Sequence, residues 1–287
     1  MFYRVFLFGL ALVCVTPVFA QSEANTIHWA GCGITKKAFM AELAAAYEAK
    51  TNIKVVLEGG GATRGIRKAA GLKIDMGGTC RMSLPETDST ELHASLYPVA
   101  WDALAIISHK KNPVDNLTSE QIRKIYTGKI TNWKEVGGND AKINLYVRKG
   151  KISGVGYAIR QYIFQNSSQE FLASHIMKSS GPLEKAIEKD VNGIGITGIS
   201  SARKRKVKIL GFDGKIPSFE NVKGGKYGLY RPLYLVTGPN PSKKVRDFLA
   251  FATSTEGSKI IRDNGTVPYR DAYGLMRKMV IYGFGVR

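Results

Sequence analysis

Between residues 27 and 80 a short apolar strand runs into a glycine-bearing loop three times over, and twice the loop opens a helix. Residues 27–30 read as a strand and are followed by Gly31-Cys32-Gly33. Residues 36–50 then place Phe39, Leu43, Ala46 and Tyr47 on one face of an amphipathic helix. The β-branched run 53–57 leads to Gly59-Gly60-Gly61 and a helix near 63–70. Residues 73–76 form a third strand, ending in Gly77-Gly78-Thr79-Cys80. Strand–loop–helix in series predicts an α/β fold with a parallel sheet and helices on its faces. In such sheets ligands sit beyond the carboxyl ends of the strands, where loops meet helix N-termini. All three glycine-bearing loops fall there.

The remainder of the chain is read by the same signals. Residues 97–108 are apolar almost throughout and predict a buried strand, and 229–237 predict a second. Thr118 and Gln121 have the spacing of a capping box opening a helix that ends near Gly128. Residues 143–147 predict a strand, 148–156 a loop, and the chain through Tyr162 a helix. Ser180 is the candidate cap of the next helix, 192–196 a glycine-flanked strand, and 241–252 and 255–263 the last two helices. No repeat or low-complexity tract interrupts this order.

Residues 1–20 have a single charge, Arg4, an apolar centre from Val5 to Val15, and Pro17-Val18-Phe19-Ala20 at the end. This predicts a signal peptide cleaved after Ala20 and an exported, periplasmic protein. A lipoprotein cut at Cys14 is disfavoured by the bulk of Val13. The formal net charge is +19, one less without the leader, which favours negatively charged partners. Nucleic acid is not expected, because no nucleic-acid motif is present. The only four-residue basic block is Arg203-Lys204-Arg205-Lys206.

The order of motifs resembles that of the phosphate-binding proteins of bacterial phosphate ABC transporters, a branch of the type II periplasmic binding proteins. The run from Leu117 to Gly138 carries the resemblance, with Ile125-Tyr126-Thr127-Gly128-Lys129-Ile130-Thr131-Asn132-Trp133 at its centre. Around it stand the loops near residue 31, at 59–66, at 75–81 and at 148–154, so the likeness spans about residues 27–270. The resemblance implies a two-lobed fold, each lobe a mixed sheet flanked by helices, joined by two crossing hinge strands. By position, lobe I is residues 22–101 plus 236–287 and lobe II is residues 102–235. It implies a monomeric solute-binding protein that captures a small oxyanion, phosphate or a related ion, between the lobes and presents it to an ABC transporter permease or membrane receptor.

Carried over position by position, the family's anion site falls on Ile34 and Thr35, Ala62, Thr63 and Arg64, Cys80, and Arg148, Lys149, Ser153 and Gly154. Several positions depart from the family pattern. Ala62 stands where a serine is usual, Cys80 replaces an Asp or Ser, and Val155 replaces a threonine. Lys149 falls where an arginine is expected, with Arg148 beside it. Charge-assisted hydrogen bonds contribute roughly 1.5–3 kcal/mol each, so these losses weaken the case for phosphate itself while the loops still argue for an anion.

Three cysteines are present and one, Cys14, lies in the leader. The mature pair, Cys32 and Cys80, is therefore a disulfide candidate in an oxidising compartment. The alternative keeps both as thiols near Arg81 and Lys36, reactive or, with Met82 or His28, able to hold a soft ion such as copper(I) or trivalent arsenic. No zinc pattern, cofactor motif or other metal cluster is present. Glu120, Glu135 and Asp102 form no acid–base pair and Ser153 lacks a nucleophile elbow, so no enzyme is expected. Ser179-Ser180-Gly181 could add donors to the cleft, with capping as the plainer role. A second reading from another class is a sensor of the same fold that docks a membrane receptor or an acidic redox partner.

Overall fold

The strand that organises the molecule is the long apolar one. In the computed structural model, which describes residues 25–282, β1 (Thr26–Gly31), β2 (Lys54–Glu58) and β3 (Met76–Thr79) precede β4 (Ser95–His109). From Ser95 to Ala103, β4 pairs antiparallel with a strand at Tyr230–Thr237. From Leu104 onward it pairs instead with strands at Gly193–Gly198 and Val207–Phe212. One strand therefore belongs to two sheets. Residues 99–109 are buried without interruption. A strand covered on both faces has no polar side to show, which is why its sequence does not alternate.

The other strands follow in order as β5 (Asn116–Leu117), β6 (Asn144–Arg148), β7 (His175–Met177), β8 (Gly193–Gly198), β9 (Val207–Phe212), β10 (Tyr230–Thr237) and β11 (Val267–Pro268). The main path is β2-β1-β3-β10-β4-β8-β6-β7. In the first lobe β1 lies parallel to β2 and β3, and β10 is antiparallel to β3. In the second lobe β6 lies parallel to both β7 and β8. The mixed sheets expected for the two lobes are thus in place, and the chain passes between them at β4 and just before β10, where Leu104 N donates to Leu229 O (2.9 Å). The proposed signal peptide at residues 1–20 lies outside the described residues.

Helices cap the carboxyl ends of the parallel strands. After β1 comes α1, a continuous helix over residues 33–51 with a π-type turn at Lys36–Met40. Phe39, Leu43 and Tyr47 are buried along it as the periodicity requires. After β2 comes α2 (Ala62–Ala70). The later helices that matter for the site are α3 (Ser119–Tyr126), α4 (Gly154–Ile159), α5 (Ser180–Ile187) and α6 (Ile199–Ala202). At α3 the capping box forms, with Gln121 N donating to Thr118 Oγ1 and Thr118 N to Gln121 Oε1 (3.1 and 2.8 Å). Trp101 and Trp133 are core side chains; Trp101 stacks on Tyr269 at 5.3 Å.

Two local expectations are corrected. The third strand begins at Met76 rather than Lys73, so Gly77 and Gly78 lie within it and not in a turn. These glycines serve close packing: a Cβ on Gly78 would meet Trp29 Cζ2 at 2.3 Å, and one on Gly77 would meet Gly65 O at 2.3 Å. Ser180 is the first residue of α5, not its cap; Ser179 is the cap, and the Ser180 hydroxyl serves another partner.

Candidate functional site

Three helix N-termini, those of α1, α2 and α5, open onto one cavity of about 210 Å3 between the lobes, and Gly154 and Val155 at the start of α4 complete its wall. A helix start leaves backbone N–H groups unpaired and carries about half a positive charge. The glycines that precede α2 make the approach possible. Gly60 and Gly61 have φ of 146° and 92°, values that side chains rarely adopt, and nothing lies within 4 Å of a Cβ position on Gly33, Gly59 or Gly61. The backbone there is bare toward the cavity.

Three cationic side chains line the same space: Lys37 from lobe I, and Arg148 and Arg205 from lobe II. Arg148, the last residue of β6, donates to Ser180 Oγ (2.9 Å) and to Lys178 O (3.0 Å). Its Nε is buried without a partner, and burial pushes its pKa down from the ordinary arginine value. Among the described residues it forms no ion pair with a carboxylate. Lys37 and Arg205 share the buried Glu184, at 3.3 and 3.0 Å, and Lys37 Nζ also donates to Ser201 Oγ (2.7 Å). Three cations thus face one carboxylate, which leaves the cavity net positive.

Of the positions singled out from sequence, Ile34, Ala62, Cys80, Arg148 and Gly154 line the cavity. The other five do not. Thr35 is fully buried with its hydroxyl 2.7 Å from Cys32 Sγ. Thr63 Oγ1 donates across the cleft to Ile152 O (3.2 Å). Arg64 is drawn outward into an ion pair with Glu58. Lys149 is exposed, because successive residues at a strand end point to opposite sides and Arg148 takes the inward one. The Ser153 hydroxyl caps α4, accepting from Gly156 N (3.3 Å). Lys37, Arg205 and Ser201 were not found from sequence. Arg205 sits inside the basic block, and that block is used internally. Lys204 Nζ donates to Lys37 O (3.0 Å) and to Glu42, and Arg203 binds Gly265 O.

Cys32 and Cys80 are free thiols in the structure rather than the expected disulfide. Both are buried, 6% and 3% exposed, and both line the cavity. Cys32 Sγ is turned toward its own helix, where it accepts from Thr35 N (3.3 Å) as the cap of α1. The neighbouring Cys32 is the main cause holding Cys80 down to about 6, against burial, with the positive charges of Arg231 and Arg148 adding to it. Burial pushes Cys32 up. Among the described residues no group of three or more His, Cys, Asp or Glu side chains could hold a metal ion.

Beneath the cavity lies the hinge. Asp102 on β4 and Arg231 on β10 are register partners, both essentially inaccessible, and they pair at 3.3 Å. Asp102 also accepts from Ser200 N and Oγ at the start of α6 (3.1 and 2.6 Å). Arg231 Nη1 reaches Gly154 O of lobe II (3.2 Å) and Cys80 O of lobe I (3.5 Å). With Arg81 Nε donating to Ile152 O (3.0 Å), these bonds hold the lobes against each other.

The PBP superfamily domain model matches residues 20–256. Among curated proteins, the phosphate-binding protein PstS of Borreliella burgdorferi is 31% identical over 175 residues, covering 58% of this chain and 63% of that protein. The PstS of Bacillus subtilis is 31% identical over 184 residues, covering 59% and 60%. The chain thus spans about three fifths of the length of these relatives. Among solved structures, a putative phosphate ABC transporter substrate-binding protein with bound phosphate from Clostridium perfringens superposes with a TM-score of 0.78 at 28% identity, over 85% of this chain and 99% of that one. An ABC-type phosphate transport receptor from Vibrio cholerae superposes at 0.64 with 28% identity, over 85% and 99%.

Proposed function

The chain belongs to the PBP superfamily, and from that premise we propose that it is an exported solute-binding protein that captures a small tetrahedral oxyanion between its lobes for an ABC transporter. The observation that carries this is the cavity itself: three helix N-termini and Arg148, which among the described residues has no carboxylate partner, converge on about 210 Å3. Phosphate is the first candidate, since the relatives named above are phosphate-binding proteins. The ligand lies between backbone N–H groups of lobe I and the side-chain donors of lobe II. Closure is driven by the contacts it makes with both at once. The reading needs no chemical step. Among the described residues no helix is long and apolar enough to cross a membrane. The docking of the closed form on a permease is part of the proposal.

Calorimetry of the purified mature protein with phosphate, sulfate and arsenate tests it. Binding of one of them at micromolar concentration or tighter is expected. Absence of heat for all three up to millimolar concentration sinks the solute-capture reading.

A further inference from the structure

The cavity is larger and more apolar than an inorganic anion requires. Its volume is about 210 Å3, room for about seven water-sized atoms at roughly 30 Å3 each. A tetrahedral oxyanion has only a central atom and four oxygens. Each of those oxygens loses water on entry and must find a donor in the wall, because a desolvated oxygen without one is costly.

The side-chain donors gather along α5. Arg148 Nη1 donates to Ser180 Oγ at its start, and Arg205 Nε reaches Glu184 one turn further on (2.9 and 3.0 Å). Glu184 also fixes Lys37. Elsewhere the wall changes character. Ile34, Ala62 and Val155 line the cavity and carry no polar side-chain atom. Cys80 Sγ and Ala62 Cβ both lie against Gly154, since a Cβ on Gly154 would meet them at 2.3 and 3.0 Å. The thiol, the methyl and the bare Cα thus form one surface where the lobes meet. Cys80 adds no compensating donor: held down to about 6, it is a thiolate near neutral pH and turns an anionic oxygen away. Water is no substitute there, because an ordered water needs polar partners of its own.

We propose that the ligand is a monosubstituted tetrahedral oxyanion, a phosphonate or phosphate monoester carrying one small alkyl group, with that group seated against Ile34, Ala62 and Val155. The inference rests on the reading of this cavity as an anion site and names the class of anion. The remaining oxygens meet the helix starts and the Arg148 and Ser180 side chains, while the substituent takes the place where an oxygen would have no side-chain donor. The exchange removes an unpaired acceptor and buries apolar surface on both sides of the contact. Volume bounds the group from above. A sugar or nucleoside monoester has more atoms than the cavity holds, so the substituent is a chain of one to a few carbons.

Ethylphosphonate, methyl phosphate and inorganic phosphate are titrated into the purified mature protein by calorimetry, at a pH at which all three are dianions. The first two contain the same number of heavy atoms and separate a carbon-linked from an ester-linked group. At least one of them is expected to bind about tenfold tighter than phosphate. A double variant carrying Ala62→Ser and Val155→Thr puts hydroxyls on the apolar wall. Its preference is expected to fall to parity or to reverse in favour of phosphate, with thermal unfolding as the check that it is folded; the wild-type comparison stands without it. Phosphate binding as tightly as both substituted anions in the wild type, or a preference that the folded double variant leaves unmoved, overturns the inference and leaves anion capture standing. If none of the three binds up to millimolar concentration, the reading of the cavity fails and the inference falls with it.

Discussion

The two walls of the cavity are built from different materials. The lobe I wall is Cys32, Gly33 and Ile34, the glycines 59–61, Ala62 and Cys80, with Lys37 as its one charged side chain. It offers backbone N–H groups and thiols. The lobe II wall is Arg148, Ser179, Ser180, Gly181, Ser201 and Arg205, with Gly154 and Val155. It offers guanidinium and hydroxyl groups. A wall made of backbone tolerates substitution, because its donors belong to the helix start and not to any residue type. Ala62, the first residue of α2, therefore leaves the backbone donors of that wall in place. A wall made of side chains has no such tolerance, and on the anion reading its charges would set both affinity and selectivity.

The same contrast separates two arginines at the cleft, and it can be broken experimentally. Arg81 is saturated: Nη1 and Nη2 bind Glu91 at 2.8 and 2.9 Å, and Glu91 also accepts from Arg67 Nε and Leu84 N. Although burial works to raise it, those bonds keep the Glu91 carboxyl below its ordinary pKa. Removing one partner of such a buried pair strands the other charge, which costs about 3–5 kcal/mol. Glu91→Gln is therefore expected to lower unfolding free energy by about that amount in denaturant titration, with anion affinity in the folded protein unchanged within threefold. Because the folded pKa lies below the unfolded one, this contribution is present above the unfolded value, roughly 4.3 for Glu. It is lost as pH falls through the folded value. An acid-unfolding midpoint identical in wild type and Glu91→Gln would contradict it.

Arg148 is the opposite case, buried on one side and without a carboxylate partner among the described residues. Arg148→Ala is expected to weaken anion binding by roughly 1.5–3 kcal/mol, about ten- to a hundredfold, while thermal stability moves little. If affinity survives and stability falls, the two arginines have been assigned the wrong way round. Gly154→Ala should act through the fit of the walls. Its Cβ would meet Cys80 Sγ at 2.3 Å and Ala62 Cβ at 3.0 Å, so the closed cleft cannot form without a shift. About tenfold weaker binding is expected, together with a larger radius of gyration in the presence of ligand by solution scattering. A compact, tightly binding variant would show that Cys80 can yield.

The lobe I wall was legible in the sequence because it is local. A strand, a glycine turn and a helix start are read from consecutive residues, and Ile34, Ala62 and Cys80 fell on the cavity accordingly. The order of elements and the two long buried strands were legible for the same reason. The lobe II wall was only half legible. Arg148 and Gly154 came from one loop, but Ser201 and Arg205, like Lys37 of the lobe I wall, reach the site through Glu184, over separations that no short-range pattern encodes. The glycines of β3 were misread as a turn because close packing under Trp29 and turning both select glycine. Thr35, Thr63 and Ser153 have the right chemistry, but their hydroxyls are committed to Cys32, Ile152 and the start of α4.

The smallest effect is the one that distinguishes the structure from the motif. By position in the loop, Lys149 stands where an arginine would contact the anion; by geometry, Arg148 occupies the cavity and Lys149 points to solvent. The register of β6 decides this, since Arg148 pairs with Met177 and closes the ladder, while Lys149 N already donates to Met177 O (2.9 Å) beyond it. Shifting the pair by one residue would exchange the faces of Tyr146 and Val147 as well, and both are buried in the second lobe. Lys149→Ala is thus expected to change anion affinity by less than about twofold at physiological ionic strength, its charge being screened at the surface. A loss comparable to that of Arg148→Ala would place the lysine in the cavity and require the loop after β6 to be drawn differently.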